Sequence, residues 1–194
     1  MSKIGNTKMG AIKVTIKSKF FLVTTLLLST AAGAQHGAHV HGEAQLTIAV
    51  GDNELHVEFE SPAANLVGFE HAPQNPEQQR ALDVAAQQLA SADHLLRIHG
   101  AQCRLQQVQV AAPYSHTGSH VDHTSHASRE EHSEHSSFRA SYLFRCDTLA
   151  QLRTVDIALF ASFPDIHEIK AQWLTPGQQG AAKLTAQHNE LRFK

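Results

Sequence analysis

The stretch AQLTIAVGDNELHVEFES, residues 44–61, alternates apolar and polar side chains on both sides of a short turn sequence. Alternation with a period of two is typical of strands that have one buried face and one solvent face. Gly51-Asp52-Asn53, between the two halves, has the composition of a tight turn. The stretch therefore predicts a β-hairpin. Matching its apolar faces leaves a polar face that carries Gln45, Thr47, His56, Glu58 and Glu60.

Outward from this hairpin, the chain adds one clear helix and several further strands. Asn75-Pro76-Glu77 has the residue types of a helix start, and helical spacing of apolar residues continues toward Ala92. Asp93 is expected to cap a further short turn. The pattern predicts strands at 102–111, 138–146, 155–160 and 169–174, extended pieces near Lys183 and Leu191, one helical turn at 149–152 and an apolar loop at 61–69. The predicted fold class is α+β, mainly antiparallel β-sheet with one or two short helices.

The N-terminus has the three parts of a secretory signal peptide. Five lysines and no acidic residue precede the apolar run 20–28, and Ala32-Gly33-Ala34 offers a small-x-small cleavage site. A membrane anchor is the alternative, but the run is much shorter than the ~20 residues that a spanning helix needs. We therefore expect residues 1–34 to be removed and residues 35–194 to be exported to the periplasm without a membrane span.

Cys103 and Cys146 are the only cysteines of the chain. An oxidising compartment favours a disulfide between them. A pair of thiolate zinc ligands is the alternative, although no C-x-x-C spacing supports it. If the strands at 102–111 and 138–146 pair antiparallel, the two cysteines meet and the residues between them become the loop of a long hairpin.

That loop, residues 113–137 and called the insert below, carries the clearest chemical signal. It is rich in Ser, Thr and acidic residues and has almost no large apolar side chain, so we expect it to be disordered. Histidine-rich tracts bind metals, and imidazole suits zinc, copper and nickel. A solvated, pH-sensitive linker is the alternative interpretation. The candidate ligands are His116, His120, His123, His126, His132 and His135.

A second group of candidate ligands precedes and enters the hairpin. If the first strand begins early, His39, His41 and Glu43 share its polar face, and a facing imidazole could complete a zinc site. Glu43 or Glu58 would supply a fourth ligand or orient a histidine. The alternative is the wet polar face of an ordinary sheet. The histidines of this group are His36, His39, His41 and His56. His71 is a weaker candidate ligand, whereas His94, His99, His167 and His188 are expected to be surface or packed residues.

Charge and motifs argue against two other classes of function. Residues 35–194 hold 11 Lys and Arg against 18 Asp and Glu, which disfavours binding to nucleic-acid phosphates. The zincin pattern H-E-x-x-H, the G-x-S-x-G elbow and the phosphate-binding loop are absent from the sequence. We therefore expect neither a nucleic-acid-binding protein nor an enzyme.

The segments HVHGEAQL (39–46), FESPAANLVGFEHAP (59–73) and FASFP (160–164), with a histidine-rich insert between them, resemble the ZrgA-like family of zinc-regulated periplasmic proteins. The resemblance implies a zinc-binding protein of Gram-negative bacteria that is made under zinc starvation and works beside a zinc ABC importer. It implies that His39, His41 and the insert histidines bind Zn²⁺, and it brings no catalytic residues.

The function expected from all these features is that of a periplasmic accessory protein. It would capture and buffer zinc for an ABC importer or for that importer's solute-binding protein. Two alternatives stay open at this point. The histidines could serve copper or nickel instead, since the raw affinity of nitrogen ligands for these metals is equal or higher. They could also act by protonation, in a pH-responsive interaction module.

Overall fold

The computed structural model describes residues 40–114 and 136–193. The predicted signal peptide and all but the ends of the insert lie outside these ranges. The strands are β1 (Glu43–Gly51), β2 (Glu54–Pro62), β3 (Leu96–His99), β4 (Cys103–Ala111), β5 (Ser137–Cys146), β6 (Thr154–Ile157), β7 (Glu168–Thr175), β8 (Gln178–Leu184) and β9 (Glu190–Arg192). The helices are α1 (Ala64–Val67), α2 (Pro76–Ala90), α3 (Ala92–Leu95) and α4 (Leu159–Ser162), with a 3-10 turn at Leu149–Gln151.

The strands form two sheets. The larger has six strands in the order β4-β5-β2-β1-β7-β8, and the smaller has three in the order β3-β6-β9. Every pair is antiparallel except β1 with β7, which is parallel. The predicted α+β class, built mainly on antiparallel sheet, is confirmed.

The β1–β2 hairpin forms as its sequence predicts. Asp52 and Asn53 both have positive φ, 50° and 63°, and this is the conformation of a type I′ turn. The turn fixes the register so that Ile48 lies opposite Val57, and both side chains are buried. A slip of one residue would expose this entire apolar row, so the pattern and the turn specify the same pairing.

One face of the six-stranded sheet is covered by α2. Asn75 caps this helix, since its side chain accepts hydrogen bonds from the backbone N–H groups of Glu77 and Gln78. The buried side of α2 carries Leu82, Ala85 and Leu89. The hydroxyl of Tyr142 on β5 donates to the carbonyl of Leu89 over 2.7 Å, which ties the helix to the sheet. The other face carries polar side chains such as Thr47 and Glu58, which are exposed in the described part of the chain, and it is called the open face below.

The Cys103–Cys146 disulfide is present, and the predicted antiparallel pairing of its strands is confirmed. The two cysteines lie directly opposite each other at one end of the β4–β5 hairpin. The insert joins the other end of the same two strands. No helix within residues 40–114 and 136–193 is long and apolar enough to cross a membrane.

The shortest elements differ from the sequence prediction. The strand predicted at 155–160 ends at Ile157, after which the chain turns into α4. The strand β3 and the single-turn helix α1 were not predicted, and Asp93 lies inside α3, whose N-cap is Ser91. Elements of four residues are too short to show a recognisable periodicity in the sequence. Their conformation depends on contacts with residues that are distant along the chain.

Candidate metal-binding edge

Three segments that carry predicted ligands reach the same edge of the six-stranded sheet. At this edge β1, β5 and β7 begin, and β2, β4 and β8 end, because Glu43 pairs with Glu168 and Pro62 pairs with Ser137. The N-terminal histidine motif enters at the start of β1. The insert leaves from the end of β4 and returns at the start of β5. We call this side of the sheet the insert edge.

A buried asparagine fixes the position of the N-terminal motif. Asn65, only 3% exposed, accepts a hydrogen bond from the Gly42 amide (2.7 Å) and donates one to the Glu43 carbonyl (2.8 Å). Gly42 has a φ of +83°, so the chain turns at this residue. The early start of β1 is therefore not observed at residues 41 and 42, and His41 stands outside the alternating pattern of the strand.

The side chain beside His41 is Glu70, which the sequence analysis did not select. Nε2 of His41 lies 3.3 Å from Oε1 of Glu70. That oxygen is buried and has no hydrogen bond from the described part of the chain. Glu70 belongs to the FESPAANLVGFEHAP segment, and its place in that segment was the available signal. Glu70 lies 29 positions from His41, and only the fold shows that the two meet.

The two carboxylates that were predicted as zinc ligands are placed differently. Glu43 forms an ion pair with Lys170 on β7, and this hydrogen bond raises the pKa of Lys170. Glu58 lies on the open face of the sheet between Thr47 and Ser141, with no ion pair among the described residues. Neither carboxylate lies against His41.

The structure does not bring His56 and His41 together. His56 pairs opposite Ala49, close to the hairpin turn, and its Nε2 lies 3.3 Å from Oε2 of Glu54. Six residues separate Ala49 from Glu43, a distance of about 20 Å along an extended strand. His56 thus belongs to the charged open face, next to the Glu54–Arg145 ion pair.

Two further histidines lie at the insert edge: His71, the weaker candidate ligand, and His167, which was expected to be an ordinary surface or packed residue. The ring of His71 stacks on Phe69, with centroids 5.1 Å apart. The backbone N–H of His167 donates to the Gly42 carbonyl over 2.8 Å, and its ring lies where a side chain at residue 42 would begin. His99 lies on the smaller sheet instead, with Nε2 3.0 Å from Oδ2 of Asp156.

Both roots of the insert are attached to residues 61–73. The hydroxyl of Tyr114 donates to the backbone carbonyl of Glu70, and the Ala63 amide donates to the Ser136 carbonyl over 2.7 Å. Burial raises the pKa of Tyr114, and the negative charge of Glu70 adds to this effect. Pro113 is buried, so the ends of the predicted loop are packed against the sheet.

The other predicted ligands lie outside the described residues. These are His36, His39 and the six insert histidines, His116, His120, His123, His126, His132 and His135. Within the described ranges, no group of three or more His, Cys, Asp or Glu side chains could hold a metal ion. The described residues hold His41 and Glu70 in contact and attach both ends of the insert to residues 61–73.

A known protein family matches nearly all of the described chain. The family described as ZrgA family zinc uptake protein matches residues 38–193, a span that includes the N-terminal motif, the insert and both sheets. The chain belongs to the ZrgA family. The resemblance noted from the sequence is confirmed, and membership in this family indicates a role in zinc uptake. No curated protein matches the sequence.

Proposed function

We propose that this protein is a periplasmic zinc-binding accessory protein, which captures and buffers zinc for high-affinity import by an ABC transporter. The observation that carries the proposal is the convergence of the N-terminal motif and both insert roots on residues 61–73 at the insert edge. Family membership supports zinc as the cargo.

The composition of the insert suits capture and release. Its six histidines are spaced among polar residues, so several alternative ligand sets are available to one ion. Ordering each residue of such a segment costs about 1–2 kcal/mol, which offsets part of the metal–ligand free energy. Exchangeable sites of moderate affinity result, and an importer with higher affinity can draw zinc from them.

Location and partner are parts of the same proposal. The signal peptide predicted at residues 1–34 supports export to the periplasm, where a zinc ABC importer and its solute-binding protein would meet the zinc-loaded chain. The role is non-catalytic, in keeping with a sequence that lacks the common hydrolase and nucleotide-binding motifs.

Calorimetric titration of residues 35–194 with Zn²⁺ at neutral pH tests the proposal. We expect more than one equivalent of zinc to bind. Changing all six insert histidines to Gln should remove most of these equivalents, whereas the control His94→Gln plus His99→Gln should keep them. A stoichiometry of zero for the parent protein would refute zinc binding.

The metal and the mode of action need separate measurements. Protein recovered from cells grown in zinc-poor medium should carry zinc on elemental analysis, and copper or nickel in its place would favour the alternative cargo. Adding a chelator at constant pH should change the folding or the association of the protein. If the chelator has no effect and only pH changes folding or association, the pH-responsive interaction module is the better description.

A further inference from the structure

We infer that His41 and Glu70 together bind one zinc ion at the insert edge, with Glu70 as the carboxylate ligand. The inference rests on the proposed function and deepens it. It assigns a fixed site in the described fold, in addition to the exchangeable sites of the insert. It also replaces Glu43 and Glu58 with a residue that the sequence did not single out.

The distance between the two side chains fits one shared ion. Zinc binds imidazole nitrogen at about 2.0–2.1 Å and carboxylate oxygen at about 2.0–2.2 Å in a tetrahedral arrangement. Two ligand atoms on such an ion are therefore about 3.3–3.5 Å apart. Nε2 of His41 and Oε1 of Glu70 are 3.3 Å apart. They can hold the ion without moving relative to each other.

Glu70 also differs from the other carboxylates at this edge. Its Oε1 is buried and lacks a hydrogen bond within the described residues, a situation that costs free energy unless another partner is supplied. Oε1 of Glu168 likewise lacks a hydrogen bond, but Nζ of Lys183 lies 3.1 Å away and neutralises it. Glu43 has Lys170. Among residues 40–114 and 136–193, the side chain that lies against the Glu70 carboxylate is the imidazole of His41, a group that can itself bind zinc.

The backbone beside each ligand is held in place before any metal binds, although the His41 side chain itself is 74% exposed. The Asn65 side chain holds the backbone at Gly42 and Glu43, immediately after His41. On the other side, the Tyr114 hydroxyl holds the carbonyl of Glu70. Little backbone entropy is then lost when the ion binds, and this favours affinity.

The site is built for cargo rather than for permanent structural zinc. A structural zinc ion is normally closed by four protein ligands, whereas two leave the remaining positions to water or to an exchanging ligand. Tyr114 is the last described residue before the insert histidines. Its hydrogen bond to the Glu70 carbonyl attaches this end of the insert next to the proposed site. The fixed pair is therefore attached to the described end of the insert, and zinc exchange between the two is part of the same inference.

The test uses residues 35–194 with the six insert histidines changed to Gln, so that the fixed site is measured alone. Competition with a chromogenic zinc chelator should report one equivalent. His41→Ala and Glu70→Gln should each weaken its affinity by about tenfold or more. The matched controls His56→Ala, on the open face, and Glu43→Gln, paired with Lys170, should leave the affinity within about twofold.

A readout of folding separates ligation from a structural role. Without zinc, Glu70→Gln should unfold at the same temperature as its parent, and only the rise in Tm that zinc produces should be lost. Equal zinc affinity in Glu70→Gln and Glu43→Gln would overturn the inference. So would the absence of any zinc bound to the six-Gln protein when the parent binds zinc, a result that leaves the proposed function standing. A parent that binds no zinc refutes both.

Discussion

At the scale of single residues, Asn65 joins the start of β1 to residues 61–73 at the insert edge through its side-chain hydrogen bonds. It and Ser61 are the two buried polar residues in the described core, and they bond to each other over 3.1 Å. Its side-chain amide also fixes the backbone of Gly42 and Glu43. The bonds to Gly42 and Ser61 are buried and the bond to Glu43 is partly buried, so an unsatisfied buried partner would cost about 1–3 kcal/mol.

Asn65→Ala should therefore lower the free energy of unfolding by about 2–4 kcal/mol and weaken zinc binding at His41. Urea unfolding and chelator competition measure the two effects. Asn75→Ala is the matched control, since it removes an exposed helix cap and should cost only about 1 kcal/mol with no change in zinc affinity. Equal losses of stability in the two variants would contradict this account of Asn65.

Tyr142 makes stability depend on alkaline pH. Burial raises its pKa above the ordinary value, so the folded state keeps the phenol proton at a pH where the unfolded chain has lost it. The stabilising contribution is complete below about pH 10 and falls as pH rises further, by up to about 1.4 kcal/mol per pH unit. Urea unfolding at several pH values above 9 should show this decline.

Tyr142→Phe is the variant that isolates the effect. It should be less stable at neutral pH by about 1 kcal/mol, because the Leu89 carbonyl loses its donor, yet its stability should fall less steeply above pH 10. Tyr114 is far less buried, so Tyr114→Phe should keep most of the steep decline. Identical alkaline slopes in Tyr142→Phe and the parent protein would rule out the buried phenol as the cause.

At the scale of secondary-structure elements, the β4–β5 hairpin is closed at one end by the disulfide and carries the insert at the other. The 43-residue separation of Cys103 and Cys146 predicts about 4 kcal/mol of stabilisation in the chain-entropy model. Changing both cysteines to Ser should lower the urea midpoint accordingly. Zinc stoichiometry at low temperature should not change, because the nine-residue length of β4 separates the bond from the insert roots.

The control for this prediction is reduction of the parent protein. It should lower the midpoint by the same amount as the double substitution, since both remove the same loop constraint. A loss of zinc sites from the folded, reduced protein would mean that the disulfide shapes the insert edge as well.

The strength of each local signal explains which elements the sequence predicts. The β1–β2 hairpin alternates over nine residues in each strand and has a turn that specifies its register, and the Asn75 cap marks the start of a 15-residue helix. In contrast, β3 is held by pairing with β6, 55 to 61 positions away along the chain, as in the Leu96–Ile157 pair. Long-range pairing of a four-residue strand leaves no mark on local periodicity.

At the scale of the whole molecule, sequence reasoning identified the segments of the candidate site but not their pairing. His41 was found from its spacing, and the position of the insert followed from the two cysteines. The choice of partner for His41 depended on register, which sends His56 to the turn end of the hairpin and Glu43 to Lys170. Glu70 reaches His41 only through the path of the chain after β2, and no local pattern encodes that contact.

The last prediction concerns the release of zinc in acid. Zinc binds neutral imidazole, so an insert site with three histidines must displace about three protons well below pH 6.5. Each unit of pH then weakens such a site by up to about a thousandfold. A site made by His41 and Glu70 has one imidazole ligand where the insert site has three, so its zinc affinity should fall less steeply as pH falls. Most insert zinc should leave between about pH 7 and pH 5, before the fixed ion does.

The fold should survive this release, because the disulfide and the apolar core of the two sheets do not depend on imidazole ligation. Zinc occupancy and far-UV circular dichroism followed along one pH titration should show two steps of zinc loss at constant secondary structure. In the six-Gln protein only the later step should remain, and in the Glu70→Gln protein only the earlier one. If full occupancy persists at pH 5, or if zinc leaves only as the sheet unfolds, the histidine tract is not the reservoir.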